Sequence, residues 1–151
     1  MTRKHTRRRV IVPLPPKGLR PKLQPDQVSD LALVHNANLD AVAKGTADET
    51  TLWHLVEAAL TWSKVAELIE AGEPEMRVQL ELASTLVERY GRTGRVLFTG
   101  TEYQVAKEGV QVMDQLAEMT DKPSAVIAAE WSERKRDELQ AACAARERKA
   151  A

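Results

Sequence analysis

RYGRTGRVLFTGTEYQ, residues 89–104, is the stretch on which the architecture turns. It holds three of the seven glycines, three arginines, both tyrosines and the only phenylalanine. An acidic amphipathic pattern runs up to it and further helical pattern follows, so it reads as a corner joining two helical halves. Arg89 and Tyr90 end one helix, with Gly91 expected as its left-handed cap because glycine accepts positive φ at little steric cost. Thr93-Gly94-Arg95 then turns the chain. Val96-Leu97-Phe98 is too short an apolar run for a helix and reads as an extended piece pressed on the core. Thr99 with Glu102, or Thr101 with Gln104, fits a capping box that starts the next helix.

Working back from the corner, residues 73–90 carry Pro74 in a first turn, with Glu73 and Glu75 against the positive end of the helix dipole. Met76, Leu80, Ala83, Leu86, Val87 and Tyr90 form the inward stripe. Before it, Asp48 is the expected N-cap of a helix closed by Gly72. Its apolar face spans Leu52, Leu55, Val56, Ala59, Ser63, Ala66 and Ile69, widened by Trp53, Leu60 and Trp62. So broad a stripe marks a central helix touching several neighbours. The first helix is expected after Pro25, with Asp26 as N-cap, ending at Lys44 before Gly45 and burying Val28, Leu31, His35, Leu39 and Val42.

Beyond the corner, residues 100–119 place Val105, Ala106, Val110, Met113, Leu116 and Ala117 inward. Gly109 in mid-helix costs about 1 kcal/mol relative to alanine, which points to close approach of another helix. Pro123 opens a fifth helix reaching Arg146, docked by Val126, Ile127 and Trp131. Residues 133–138 are charged all round, so its far end is expected to project, with 148–151 a frayed tail. Short loops favour antiparallel packing of sequential helices. The expected fold is all-α: about five helices in one bundle-like domain over residues 26–147.

Residues 1–25 read as a disordered basic arm. Five prolines and Gly18 deny it a helix, and Arg3, Lys4, Arg7, Arg8, Arg9, Lys17, Arg20 and Lys22 stand in residues 1–22 without one acid. The whole chain balances 22 Lys/Arg against 22 Asp/Glu, so the remainder is acidic, most strongly between Asp26 and Glu88. Such an arm either reaches for an outside polyanion or folds back on its own domain. Val10-Ile11-Val12 is a short β-prone exception, suited to a sheet edge or an apolar groove, or else an apolar scrap within the disordered tail, since three residues bury little area. A lone cysteine, Cys143, excludes an internal disulfide and a multi-cysteine metal site, and no apolar window approaches a membrane span. A cytoplasmic protein is expected.

No phosphate loop, dinucleotide fingerprint, GxSxG elbow or HExxH is present, so no catalytic residue and no cofactor are assigned. His54 and Glu57 stand one turn apart but lack the further ligands a metal needs. His35 reads as a core-edge imidazole held by an acceptor, or else as a ligand or base. Arg92 and Arg95, on a turn ahead of a helix N-terminus, suit an anion, unless they and Arg89 pair with nearby acids. The eight arm cations suit sequence-independent contact with DNA or RNA phosphates. The arm contains no aromatic to stack on bases, and no helix-turn-helix pattern accompanies it. The alternative is a protein-interaction module acting through its acidic helices on a host or phage protein, as a nucleic-acid mimic in one version.

Two motifs carry a resemblance: Met1-Thr2-Arg3-Lys4-His5 with Arg7-Arg8-Arg9, and Tyr90-x-x-Thr93-Gly94-Arg95 followed by Thr99-Gly100. They look like those of small accessory proteins from proteobacterial phages, prophages and plasmids, mostly of unknown function. The resemblance implies an accessory protein of a mobile element and brings no catalytic residues with it.

Overall fold

The structure, a computed structural model, describes residues 16–151. Among them a 3-10 turn, Lys17–Leu19, precedes five α-helices: α1 (Pro25–Ala43), α2 (Glu49–Ile69), α3 (Glu73–Thr93), α4 (Gly100–Met119) and α5 (Lys122–Ala150). The fold is all-α, as the periodicities require. Extended pairing among the described residues is limited to one antiparallel bridge, between Lys22 and Asp121.

Helix α2 lies at the centre and packs against each of the other four. Leu52, Val65 and Ala66 are fully buried, and Trp53, Val56, Ala59, Leu60 and Trp62 nearly so. Two clusters divide along its length. One gathers Leu52, Trp53, Val56 and Leu60 with Leu86 of α3 and Val96. The other joins Trp62, Val65 and Ala66 to Met76, Met113, Leu116 and Ala128.

The last helix departs from expectation. Although a short turn links it to α4, α5 packs on α2, and the residues it buries deepest are Ser124, Ala128 and Ser132 rather than Val126 and Ile127, while Trp131, half-buried, packs against the core as expected. Ser124, Ala128 and Ser132 recur every fourth residue and are at most 1% exposed, whereas Val126 is 56% exposed. Small side chains let two helix backbones approach closely, which large apolar ones prevent. Thr61 and Ser132 share a hydroxyl–hydroxyl hydrogen bond of 2.6 Å across that seam. Four residues further along α5 and four back along α2, Arg136 pairs with Glu57, so the two helices run antiparallel. The far half of α5 stays on the body: Cys143 packs against the Leu52–Leu86 cluster, and the helix continues through Ala150.

Between α3 and α4 the reason for Gly109 is explicit. Gln79 of α3, buried, lays its amide across α4 and donates from Nε2 to the Val105 carbonyl at 3.0 Å. A Cβ on residue 109 would sit 2.1 Å from Gln79 Cδ.

Three helix ends differ from expectation. Helix α3 runs through Gly91 and stops on Gly94, whose φ is 66° and whose N–H donates to the Tyr90 carbonyl at 2.7 Å. Arg92 and Thr93 are therefore helical. Helix α1 is capped by Gln24 rather than Asp26, the Gln24 N–H donating to Gln27 Oε1 at 3.0 Å. Helix α2 closes on Glu70 at φ 57°, ahead of Gly72. The caps at Asp48 and Thr99 fall where the residues place them.

The two corner glycines now make opposite predictions. Gly91→Ala, inside a helix with open space where its Cβ would go, should raise stability by up to about 1 kcal/mol. Gly94→Ala, at positive φ, should lower it by about 1 kcal/mol. Urea melts of both variants check this, and equal signs would place the helix end elsewhere.

Candidate functional site

Arg3, Lys4, Arg7, Arg8 and Arg9 lie outside the described residues, as does Val10-Ile11-Val12. Lys17 opens the 3-10 turn, Arg20 is half-buried and Lys22 is exposed. Just beyond them the chain is held. The Lys122 N–H donates to the Pro21 carbonyl at 2.7 Å beside the Lys22–Asp121 bridge. Residues 16–24 thus approach the body at the α4–α5 turn.

The second basic group stands at the other end of α4, roughly 30 Å away along a 20-residue helix. Arg89 there is committed: Nη1 and Nη2 donate to the two Glu102 oxygens at 2.7 Å each, and Nη1 also reaches the Leu97 carbonyl at 2.6 Å. Glu102 additionally accepts from the Thr99 N–H at 2.8 Å while its own N–H donates to Thr99 Oγ1. A carboxylate of the chain therefore already occupies the positive end of α4. Arg92 and Arg95 are exposed and carry no ion pair among the described residues. Val96 is buried, Phe98 half-buried and Leu97 exposed, an alternation that fits extended backbone laid on the core.

Glu57, Glu67 and Glu138 are paired with Arg136, Lys64 and Lys135. Glu73, Glu75, Glu81 and Glu88, all on α3, are exposed and without an ion pair among the described residues. His54 is exposed too, and Glu57 is already taken by Arg136, so the two share no metal-like arrangement; no group of three such ligands gathers among the described residues. No helix among them is long and apolar enough to cross a membrane.

Sequence patterns do not announce a groove of about 540 Å³ between α1, α2 and α5, walled by Leu31, Val34, Trp62, Val65, Ala125 and Val126. Its lining residues come from helices distant in the chain, so no local periodicity signals it. His35, Asn38 and Ala58 line both this groove and an interior cavity of about 40 Å³ between α1, α2, α3 and α4. Trp62 Nε1 donates to His35 Nε2 at 3.0 Å, with the rings edge to face at 5.8 Å. Because Nε2 accepts, the neutral ring carries its proton on Nδ1. That N–H is buried and has no acceptor among the described residues. Burial lowers the His35 pKa from its ordinary value of 6.5.

Two pH effects follow, of the same sign. The Arg89 guanidinium and the Thr99 amide hold the Glu102 carboxyl down to about 2, against 4.5 for the free group, so its contribution is full above pH 4.5 and lost as pH falls towards 2. Glu102→Gln should cost about 2 kcal/mol at pH 7, and denaturation series should show the gap to the parent closing across that window. His35, neutral when folded, binds protons more readily when unfolded, so stability should fall as pH drops below about 6.5. His35→Leu should flatten that slope; an unchanged slope would assign it to another group.

No protein family, curated protein or solved structure matches this chain.

Proposed function

We propose that this chain is a non-enzymatic accessory protein of a mobile genetic element that attaches to nucleic acid through its basic N-terminal segment, in the cytosol. The observation that carries the reading is the segregation of charge. Eight Lys/Arg and no acid stand in residues 1–22, while residues 23–151 hold 14 Lys/Arg against all 22 Asp/Glu. A polyanion is drawn to the segment and repelled by the body, which confines contact to a few phosphates and makes it salt-sensitive and independent of sequence. The hydrogen bond from Lys122 to Pro21 supports it by giving the segment a definite root on the body. The lone Cys143 suits a reducing compartment.

A second reading has its own support. The four unpaired carboxylates of α3 form a solvated acidic face suited to a cationic host or phage protein.

Titration of labelled duplex DNA at several salt concentrations tests the first reading. Removing residues 1–15, which spares the root at Pro21 and Lys22, should abolish most affinity. Alanine at Arg7, Arg8 and Arg9 should flatten log affinity against log salt by up to about 2.7, roughly 0.9 per phosphate contact. An intact chain that binds neither DNA nor RNA near about 50 mM salt, where such contacts are strongest, would overturn it and leave the acidic face of α3 as the working surface.

A further inference from the structure

The groove between α1, α2 and α5 presents a chemistry that neither basic segment nor acidic face requires. Leu31, Val34, Trp62, Val65, Ala125 and Val126 give it apolar walls, Gln27, His54, Glu57, Thr61 and Lys122 add polar lining, and its volume of about 540 Å³ lies in the range of small-molecule pockets. Where it meets the interior cavity stand two donors one helical turn apart on α1. One is the His35 Nδ1–H, buried with its residue only 6% exposed and facing no protein acceptor. The other is the side-chain amide of Asn38, half-buried and making no side-chain hydrogen bond among the described residues. A buried donor without an acceptor is costly, and native interiors rarely tolerate one without reason. His35 cannot relieve the cost by turning its ring, since Nε2 is held by Trp62.

We propose that this groove is a binding site for a small apolar molecule bearing a neutral carbonyl oxygen, which accepts from His35 Nδ1–H and Asn38 while its hydrocarbon part lies against Trp62, Val65 and Val126. The acceptor is neutral because both donors are: a carboxylate would bring a desolvated charge to a place where no cation of α1 faces it. Glu57, the one carboxylate lining the groove, is bound to Arg136, and Lys122 lines it from the first turn of α5. This site is independent of the nucleic-acid reading.

Octan-2-one is a suitable probe, with octanoate as its charged counterpart, titrated into the full chain and followed by Trp fluorescence and by the imidazole N–H signals in a nitrogen–proton correlation spectrum. Saturable binding of the ketone that shifts the His35 Nδ1–H signal is expected. Ala129→Phe, which fills the groove from an exposed position, and Asn38→Leu, which removes one donor at constant size, should each weaken it by about tenfold, the loss of one good hydrogen bond or of the slot. Both substitutions leave the His35–Trp62 contact intact. The proposal is overturned if the ketone does not saturate, if it binds equally well to the Ala129→Phe variant, or if octanoate binds more tightly than the ketone. It is also overturned if the Nδ1–H signal stays in place through the titration, because cavity water would then be its partner.

Discussion

Burial of α2 on most of its circumference is the constraint on which the other helices depend. A helix with two tryptophans, four leucines and two valines spread around its axis leaves little of its surface to water. Each neighbour contributes one side of a sleeve: α3 and α5 along its length, α1 and α4 across its remaining surface. None of them carries as broad an apolar stripe. The assembly therefore has the character of one cooperative unit, in which removing any wall exposes α2.

Polar groups inside the sleeve follow a consistent logic. Each buried one either bridges helices or spares a backbone group. Gln79 satisfies itself on the Val105 carbonyl, Ser132 meets Thr61, and Trp62 meets His35. The His35 Nδ1–H is the exception among buried side-chain donors and acceptors of the described residues. This contrast with its neighbours, more than the depth of the groove, singles out that end of α1.

Much of the fold was legible because it is written in local chemistry. Helix type and number follow from period, the caps at Asp48 and Thr99 from an acceptor placed before an N-terminus, and the close approach at Gly109 from a glycine set against helix propensity. What stayed hidden depends on distances between segments. Gly91 and Gly94 are equally good caps by residue type, and Arg89 decides between them by pairing with Glu102 and the Leu97 carbonyl, which requires another turn of helix beyond it. In α5, weighing side chains by hydrophobicity favours Val126, which is exposed, whereas the closest contact with α2 is made by small residues. Gln79, buried, is missing from the inward stripe read for α3 because a periodic reading selects apolar residues. At the candidate site, Arg92 and Arg95 were identifiable as cations and Glu102 as part of the α4 cap, but that Arg89 closes on that carboxylate was not. The groove, made by α1 and α5 from opposite ends of the chain, leaves no mark in either segment alone.

The amide of Gln79 lying where residue 109 has no side chain also has an evolutionary meaning. Neither position can drift alone: a side chain at 109 needs a smaller residue at 79, and a shorter residue at 79 leaves a void over the α4 backbone. The two sites form a coupled pair thirty positions apart, independent of the basic segment and of every surface charge. A related chain carrying a side chain at 109 should therefore carry a smaller residue at 79.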